Sequence, residues 1–406
     1  MAHDKLDLAT VLKTAEKKYD LNAGKMSDIA SDVKGISMGN MGLDSLTGVW
    51  GLPMGRSVEL YGIPSSGKST TALQTAATLQ KMIKAGGNEE LGIHADDRIA
   101  FADFEQAIDP KYALSLGFDI DDDTCIFFQP DILEQGTDFI LDLIRTNRVR
   151  LVIIDSLATM IPNSIMEESV GKSLPAVAAK LINTFYLKIT PLLKENNCLL
   201  IGLNHSKEKM GMGGYGGPVI TTPGGMSPKY NASVRLEYRQ IKQYKSKMID
   251  PLTLETVEIP TSTDVRVKVT KNKVGPPFRQ AIVRVRFGKG FDDFAMALTV
   301  LTAAKKVVWE AGGGGRHYFH NVVEEGLAPE WMSRAATGTK RPYVQGKDAI
   351  HDTAEEHPEW RQALIDLARQ IVKDNASILE SAPKDPDAPE LDIESKGSKK
   401  RASIGD

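Results

Sequence analysis

Leu6, Leu8, Val11, Leu12 and Ala15 recur on one helical stripe with lysines elsewhere, so Leu6–Tyr19 is expected to form an amphipathic helix. Met26–Lys34 has no such period and reads as a linker; Gly35–Gly48 reads as a strand and turn entering a core. From Arg56 the pattern changes. Apolar runs of strand length occur at Ser57–Tyr61, Ile99–Asp103, Cys125–Gln129, Leu151–Asp155 and Cys198–Asn204. Helical stretches lie between them, near Ser69–Lys84, Pro110–Leu116, Leu133–Thr146 and Pro175–Lys194. This alternation predicts an α/β fold with a mostly parallel central sheet covered by helices on both faces. Later strands at Ser233–Gln240, Asp264–Lys271 and Gln280–Arg286 have hairpin character and are expected to extend that sheet.

A glycine run at Gly312–Gly315 marks a boundary. Beyond it, Arg316–Ile378 carries its own aromatics and a closing helix at Pro358–Lys373, enough for a small α+β lobe but not for a large core. Residues after about Ser381 are rich in proline and charge and are expected to be disordered. The division expected is therefore 1–48, an N-terminal helix and strand; 49–312, the main domain; 313–380, the small lobe; and 381–406, a tail.

Net charge is −3, so any surface for a polyanion must be local. The two cysteines, Cys125 and Cys198, lie in apolar stretches and support neither a disulfide framework nor a structural zinc site. The opening residues are charged, without an apolar signal core, and no run approaches the roughly 20 apolar residues that span a bilayer. A soluble, cytoplasmic protein with no membrane partner is expected.

The strongest chemical signal is Gly62-Ile-Pro-Ser65-Ser66-Gly67-Lys68-Ser69, followed by Thr70. It matches the phosphate-loop pattern and has the right context, a strand before it and a helix after it. Glycines let successive backbone N–H groups turn inward around phosphate oxygens, and the helix N-terminus adds partial positive charge. Lys68 would reach the β and γ phosphates of ATP, and the Ser69 hydroxyl would ligate Mg²⁺. Asp155 ends an apolar strand, where a carboxylate emerges at the carboxyl edge of the sheet and can help hold the metal. Glu105 follows a second strand and is the candidate general base; a surface glutamate at a strand end is the competing reading. His205 ends another apolar strand and is placed to sense the γ-phosphate, though a lone histidine is more often structural.

Ser206–Met226 follows directly and holds seven glycines, two lysines and one tyrosine. Such a stretch is not expected to pack as regular structure. Lys207 and Lys209 could reach phosphates and Tyr215 could contact bases; a surface loop without a role is the alternative. Arg266–Lys289 carries eight basic residues and no acidic one, including Lys271 and Lys273. It suits a nucleic acid or a phosphate, or else is a solvated strand face.

The blocks Gly51-Leu-Pro-Met-Gly-Arg56, Asp103-Phe-Glu105-Gln-Ala-Ile-Asp109-Pro-Lys-Tyr112, Asn231-Ala-Ser-Val-Arg235 and Val267-Lys-Val-Thr-Lys271-Asn-Lys273-Val-Gly-Pro-Pro-Phe278 resemble those of the bacterial RecA recombinases, in the same order. The resemblance covers roughly residues 5–375. It implies a DNA strand-exchange ATPase, using ATP and Mg²⁺, that assembles into helical filaments on single-stranded DNA and pairs it with homologous duplex DNA. Single-strand-binding protein and loading mediators are implied partners, and a cytoplasmic, nucleoid-associated location follows.

The resemblance assigns Lys68, Ser69 and Asp155 to nucleotide and metal, Glu105 to catalysis, and Asp109 and Tyr112 to the adenine. It makes Ser164–Ser173, with Glu168, Lys172 and Ser173, a first DNA-binding loop. Ser206–Met226, with Lys207, Lys209, Met212, Gly213, Gly214, Tyr215, Gly224 and Gly225, becomes the second. Lys271 and Lys273 would reach the ATP of a neighbouring protomer, and Lys5–Tyr19 with Gly35–Met38 would dock on that neighbour. Gly346–Val372 resembles the small C-terminal lobe.

Four features depart from the family pattern. His205 stands where glutamine is common, which looks more like the UvsX recombinases of tailed phages. Gly86–Arg98 and Lys242–Thr263 are longer than the usual spacing, and Lys396, Lys399, Lys400 and Arg401 interrupt an otherwise acidic tail. A ring-forming helicase with a similar core and a regulatory ATP-binding protein are the rival readings. The docking segment and lobe count against the first, and the set Lys68, Glu105 and Asp155 counts against the second.

Overall fold

The computed structural model describes residues 33–166, 175–209, 219–223, 227–249, 255–310, 315–319, 326–329, 333–334, 342–346 and 349–374. The expected helix Leu6–Tyr19, the tail after Ser381 and most of both expected DNA loops lie outside these residues.

The centre is a nine-stranded sheet. Its strands in chain order are β1 (Ser57–Gly62), β2 (Arg98–Asp103), β3 (Cys125–Phe128), β4 (Val149–Asp155), β5 (Leu199–His205), β6 (Val234–Ile249), β7 (Thr256–Asn272), β8 (Gln280–Arg286) and β9 (Gly290–Phe291). Their spatial order is β9-β8-β7-β6-β1-β5-β4-β2-β3. The run from β6 to β3 is parallel; β7, β8 and β9 add antiparallel at one edge. The expected α/β fold is therefore present. The middle strands are apolar on both faces because helices cover both: Leu151, Val152, Ile153 and Ile154 are all fully buried. On one side α1 (Lys68–Lys84) packs, and on the other α2 (Leu133–Arg145) and α3 (Pro175–Glu195), giving two core clusters separated by the sheet. All β1, β2, β4 and β5 carboxyl ends therefore emerge at one edge, and the phosphate loop leaves β1 there.

As expected, Gly35–Gly48 enters the core: Gly35–Ile36 pairs antiparallel with Leu52–Pro53, and Ile36 and Met38 are buried. Two expectations change. The β6–β7 hairpin runs well past Ser233–Gln240 and Asp264–Lys271, pairing as far as Ile249 with Thr256. Beyond Tyr238 every β6 side chain is exposed or half-buried, so apolar alternation stops there while backbone pairing continues.

The second concerns the C-terminal segment, where a small lobe without a large core was expected. Helix α4 (Ser227–Asn231) precedes β6, and α5 (Asp293–Ala303) follows β9; α6 (Ala349–Glu356) and α7 (Pro358–Asp374) close the described chain. Phe319, Ile350, Trp360, Leu364 and Val372 join Phe294, Val300 and Leu301 of α5 in the main core cluster. A four-stranded sheet of Val308–Glu310, Arg316–Tyr318, Pro342–Gln345 and Ser333–Arg334 adjoins them, and its Val344 joins the same cluster. Among the described residues no helix is long and apolar enough to cross a membrane.

Candidate nucleotide site

The loop after β1 is built for close backbone approach. A Cβ on Gly62 would sit 2.4 Å from the Tyr238 carbonyl, and Gly67 has φ of 90°, the left-handed region that glycine enters without a side-chain clash. The Ser66 hydroxyl donates to the Ile63 carbonyl at 2.7 Å and so closes the loop on itself. Lys68 opens α1 and is buried; its Nζ donates to the carbonyls of Gly62 at 3.2 Å and Ile63 at 2.8 Å. Burial pulls this ammonium down to about 8, against the raising effect of Asp155 and Glu105.

Asp155 ends β4, and the Ser69 hydroxyl lies 3.5 Å from its Oδ2. Burial pushes the Asp155 carboxyl up to about 7, helped by the charges of Glu105 and Asp103. Two hard oxygen donors at the mouth of a phosphate loop, one of them a half-buried carboxylate among like charges, suit a divalent cation that takes its remaining ligands from phosphate and water. Among the described residues no group of three His, Cys, Asp or Glu could hold a metal by itself.

Glu105 stands just past β2, its N–H donating to the Asp155 carbonyl at 3.0 Å. His205 Nε2 lies 2.8 Å from Glu105 Oε1, bridging the ends of β5 and β2 across β4. Burial raises the Glu105 carboxyl, but hydrogen bonds from His205 and Ser156 and the nearby Lys68 more than offset that, and the net shift is downward. Tyr112 reaches the start of α1, its hydroxyl 2.7 Å from that of Thr70. Asp109 is exposed and serves as the N-cap of helix Pro110–Ser115, accepting from Lys111 N at 2.9 Å.

The sequence motifs therefore converge for Lys68, Ser69, Thr70, Tyr112, Glu105, Asp155 and His205. They do not converge for Lys271 and Lys273. Arg235 pairs with Lys271 across β6 and β7 and with Glu59 across β6 and β1, in the first half of β1. Lys271 and Lys273 thus lie toward the sheet edge opposite the phosphate loop. Glu168, Lys172, Ser173, Met212, Gly213, Gly214, Tyr215, Gly224 and Gly225 fall outside the described residues. Lys207–Lys209 forms an antiparallel ladder with Val219–Thr221, so regular structure does occur at the base of Ser206–Met226, on its two glycine-free flanks.

Several contributors escape a reading by motif. Asp103, buried at the end of β2, accepts from Gln129 Nε2 at 3.0 Å and from the N–H groups of Ala107 and Ile108 at 3.5 and 3.4 Å, and thereby fixes the turn bearing Glu105. Ser156 supplies a hydrogen bond to Glu105. Val285 and Phe291, from the distant β8 and β9, back the loop at Gly67. Asp103 and Ser156 adjoin motif residues and could have been suspected; the pairing that brings Val285 and Phe291 there leaves no local signal.

Comparison with known proteins agrees with this geometry. The family model described as the RecA N-terminal domain matches residues 6–292. Protein RecA of Acinetobacter baylyi is 35% identical over 368 residues, covering 87% of this chain and 97% of that protein. Protein RecA of Bordetella petrii is 33% identical over 370 residues, 89% of each chain.

Proposed function

The chain belongs to the RecA family, a RecA-type recombinase, and from that premise we propose that it hydrolyses ATP at a site shared between adjacent protomers of a filament on single-stranded DNA. The observation that carries this reading is the meeting of Lys68, Ser69, Asp155, Glu105 and His205 at the carboxyl ends of β1, β4, β2 and β5. Open parallel sheets bind ligands at that edge.

Lys68 leaves the Gly62 and Ile63 carbonyls and turns to the β and γ phosphates. Ser69 and Asp155 would hold Mg²⁺, which would supply neutralisation of charge on those phosphates. Glu105, kept ionised by His205, Ser156 and Lys68, orients the attacking water and accepts its proton at the carboxylate. His205, already on Glu105, reads the presence of the γ-phosphate. Because β5 runs directly from His205 into the glycine-rich segment, a shift of that histidine is transmitted to the second DNA loop. Tyr112 packs toward the base. Lys271 and Lys273 complete the site of the neighbouring protomer; their position away from the loop of their own chain supports this. ATP favours the DNA-gripping filament, which exchanges strands with homologous duplex DNA, and hydrolysis releases it.

The test is ATP hydrolysis with and without saturating single-stranded DNA. Strong stimulation is expected, and a rate unchanged by DNA would refute the recombinase reading. Lys68→Ala is expected to abolish turnover under both conditions.

A further inference from the structure

Helix α4 is short and begins immediately after the glycine-rich segment, so it is the C-terminal anchor of that segment. The last carbonyls of any helix lack intrahelical donors. In α4 the Pro228 carbonyl is taken by Ala232 N–H at 3.1 Å. The next two, of Lys229 and Tyr230, both accept from one ammonium: Lys271 Nζ at 2.8 and 2.6 Å. A cation at a helix C-terminus is favourable for the same reason that the carbonyls are orphaned. Among the described residues, further holds on this return are the Asn204 amide, which donates to the Pro223 carbonyl at 3.1 Å, and the Ser57 hydroxyl, 3.5 Å from the Asn231 carbonyl.

The backbone at Lys271 is fixed. It is paired with Arg235 in the ladder, and the Asn272 side chain beside it donates to the carbonyls of Thr47 at 2.8 Å and Pro276 at 3.2 Å. Only the lysine side chain is free to change partners. The two hydrogen bonds hold the ammonium there at a cost: burial, then the like charges of Lys273 and Arg235, pull it down to about 8, against the raising effect of Glu59. A polyphosphate offers the same ammonium charged acceptors in place of two neutral carbonyls.

We infer that Lys271 is an exchangeable cap: in the free protomer it holds the C-terminus of α4, and ATP bound by the neighbouring protomer draws it away, loosening the anchor of the glycine-rich segment. This rests on the reading of Lys271 as a residue that serves the neighbour's site. One ammonium cannot occupy both places, so nucleotide in one protomer is linked to the DNA loop of the next. The linkage needs no backbone movement at Lys271 itself.

The test is amide hydrogen exchange on the full-length protein without nucleotide or DNA. Lys271→Met, which keeps the length of the side chain and removes its donors, is expected to speed exchange in residues 227–233 by about tenfold, the loss expected for hydrogen bonds to a charged group. Lys273→Met is expected to leave that segment unchanged. Equal exchange in wild type and Lys271→Met would overturn the cap. Lys271→Gln, too short to reach both carbonyls, gives the same readout if the methionine variant misfolds. A separate arm measures DNA-stimulated ATPase of Lys271→Met mixed with Lys68→Ala, which cannot hydrolyse but still carries Lys271. Rescue in the mixture is expected. Faster exchange with undiminished ATPase of Lys271→Met alone would overturn the exchange, and the trans reading with it, while leaving a static cap. Lost ATPase with unchanged exchange would overturn the cap and spare the trans reading.

Discussion

His205 Nε2 and Glu105 Oε1 lie 2.8 Å apart, joining the ends of two strands that are not neighbours in the sheet. The candidate base and the candidate phosphate sensor are thus one hydrogen-bonded unit. Glu105→Gln is expected to lower hydrolysis by roughly 10²–10⁴-fold, the usual contribution of a general base, while nucleotide binding is retained. His205→Gln keeps a donor for Glu105 and should retain more activity than His205→Ala. Single-turnover hydrolysis on single-stranded DNA separates these; near-normal turnover by Glu105→Gln would remove it as the base.

Binding of the magnesium nucleotide should depend on pH from both sides. Asp155 is pushed up to about 7, so below that a proton competes with the cation. Lys68 is pulled down to about 8, so above that the free protein has lost the charge that meets the phosphates. Affinity should therefore rise as pH approaches 7 and fall above 8, each limb approaching about tenfold per pH unit for a single proton. Asp155→Asn should remove the acid limb and Lys68→Met the alkaline one. A profile flat from pH 6 to 9 would show that neither shift governs binding.

The parts of the fold that could be read from the chain were those with a local signature. The strands of the parallel core announce themselves as apolar runs because both faces are covered, and Gly62–Ser69 carries its turn chemistry in consecutive residues. Glu105, Asp155 and His205 were legible as strand ends. What escaped depends on pairing between distant segments. Val285 and Phe291 reach the loop only because β8 and β9 add to the far edge of the sheet. The length of the β6–β7 ribbon escaped because backbone ladders persist where side-chain alternation has ended. The C-terminal lobe seemed too small for a core because its apolar residues are matched to α5, outside its own sequence. The partner of Gly35–Ile36, Leu52–Pro53, likewise left no local signal.

Asp44 should make the stability of the protein fall as pH rises. It is fully buried, its Oδ1 accepting from Met38 N at 2.7 Å and its Oδ2 from the Ser37 hydroxyl at 2.5 Å. Burial lifts its carboxyl from 3.8 to about 7; the bonds from Ser37 and Met38 only partly oppose this, and Asp293 adds like charge. The folded state therefore keeps a proton that the unfolded chain releases. Between about pH 4 and 7 the folded state binds more protons, so this contribution is full below 4 and is lost by 7. Denaturant unfolding of wild type and Asp44→Asn at pH 5 and pH 7.5 checks it. The decline with pH should be shallower in Asp44→Asn, and equal slopes would show that Asp44 takes up no proton on folding in this range.

Glu59 and Arg235 form an ion pair buried beneath the sensor end of β5, with Arg235 Nε 2.5 Å from Glu59 Oε2 and Asn204 Nδ2 2.8 Å from Glu59 Oε1. The Glu59 side chain is fully buried and that of Arg235 is 11% exposed, so neither charge can turn to water if the other is lost. Glu59→Ala should therefore destabilise the protein by about 3–5 kcal/mol, the cost of stranding a buried charge rather than the net worth of the pair. Glu59→Leu with Arg235→Met, which leaves no charge behind, should be far less destabilised than either single change. The double variant also withdraws the acceptor that Asn204 uses, one residue before His205. If fold stability is restored while DNA-stimulated hydrolysis stays reduced, the ion pair serves the alignment of the sensor, since apolar replacements can fill its volume but cannot hold the Asn204 amide.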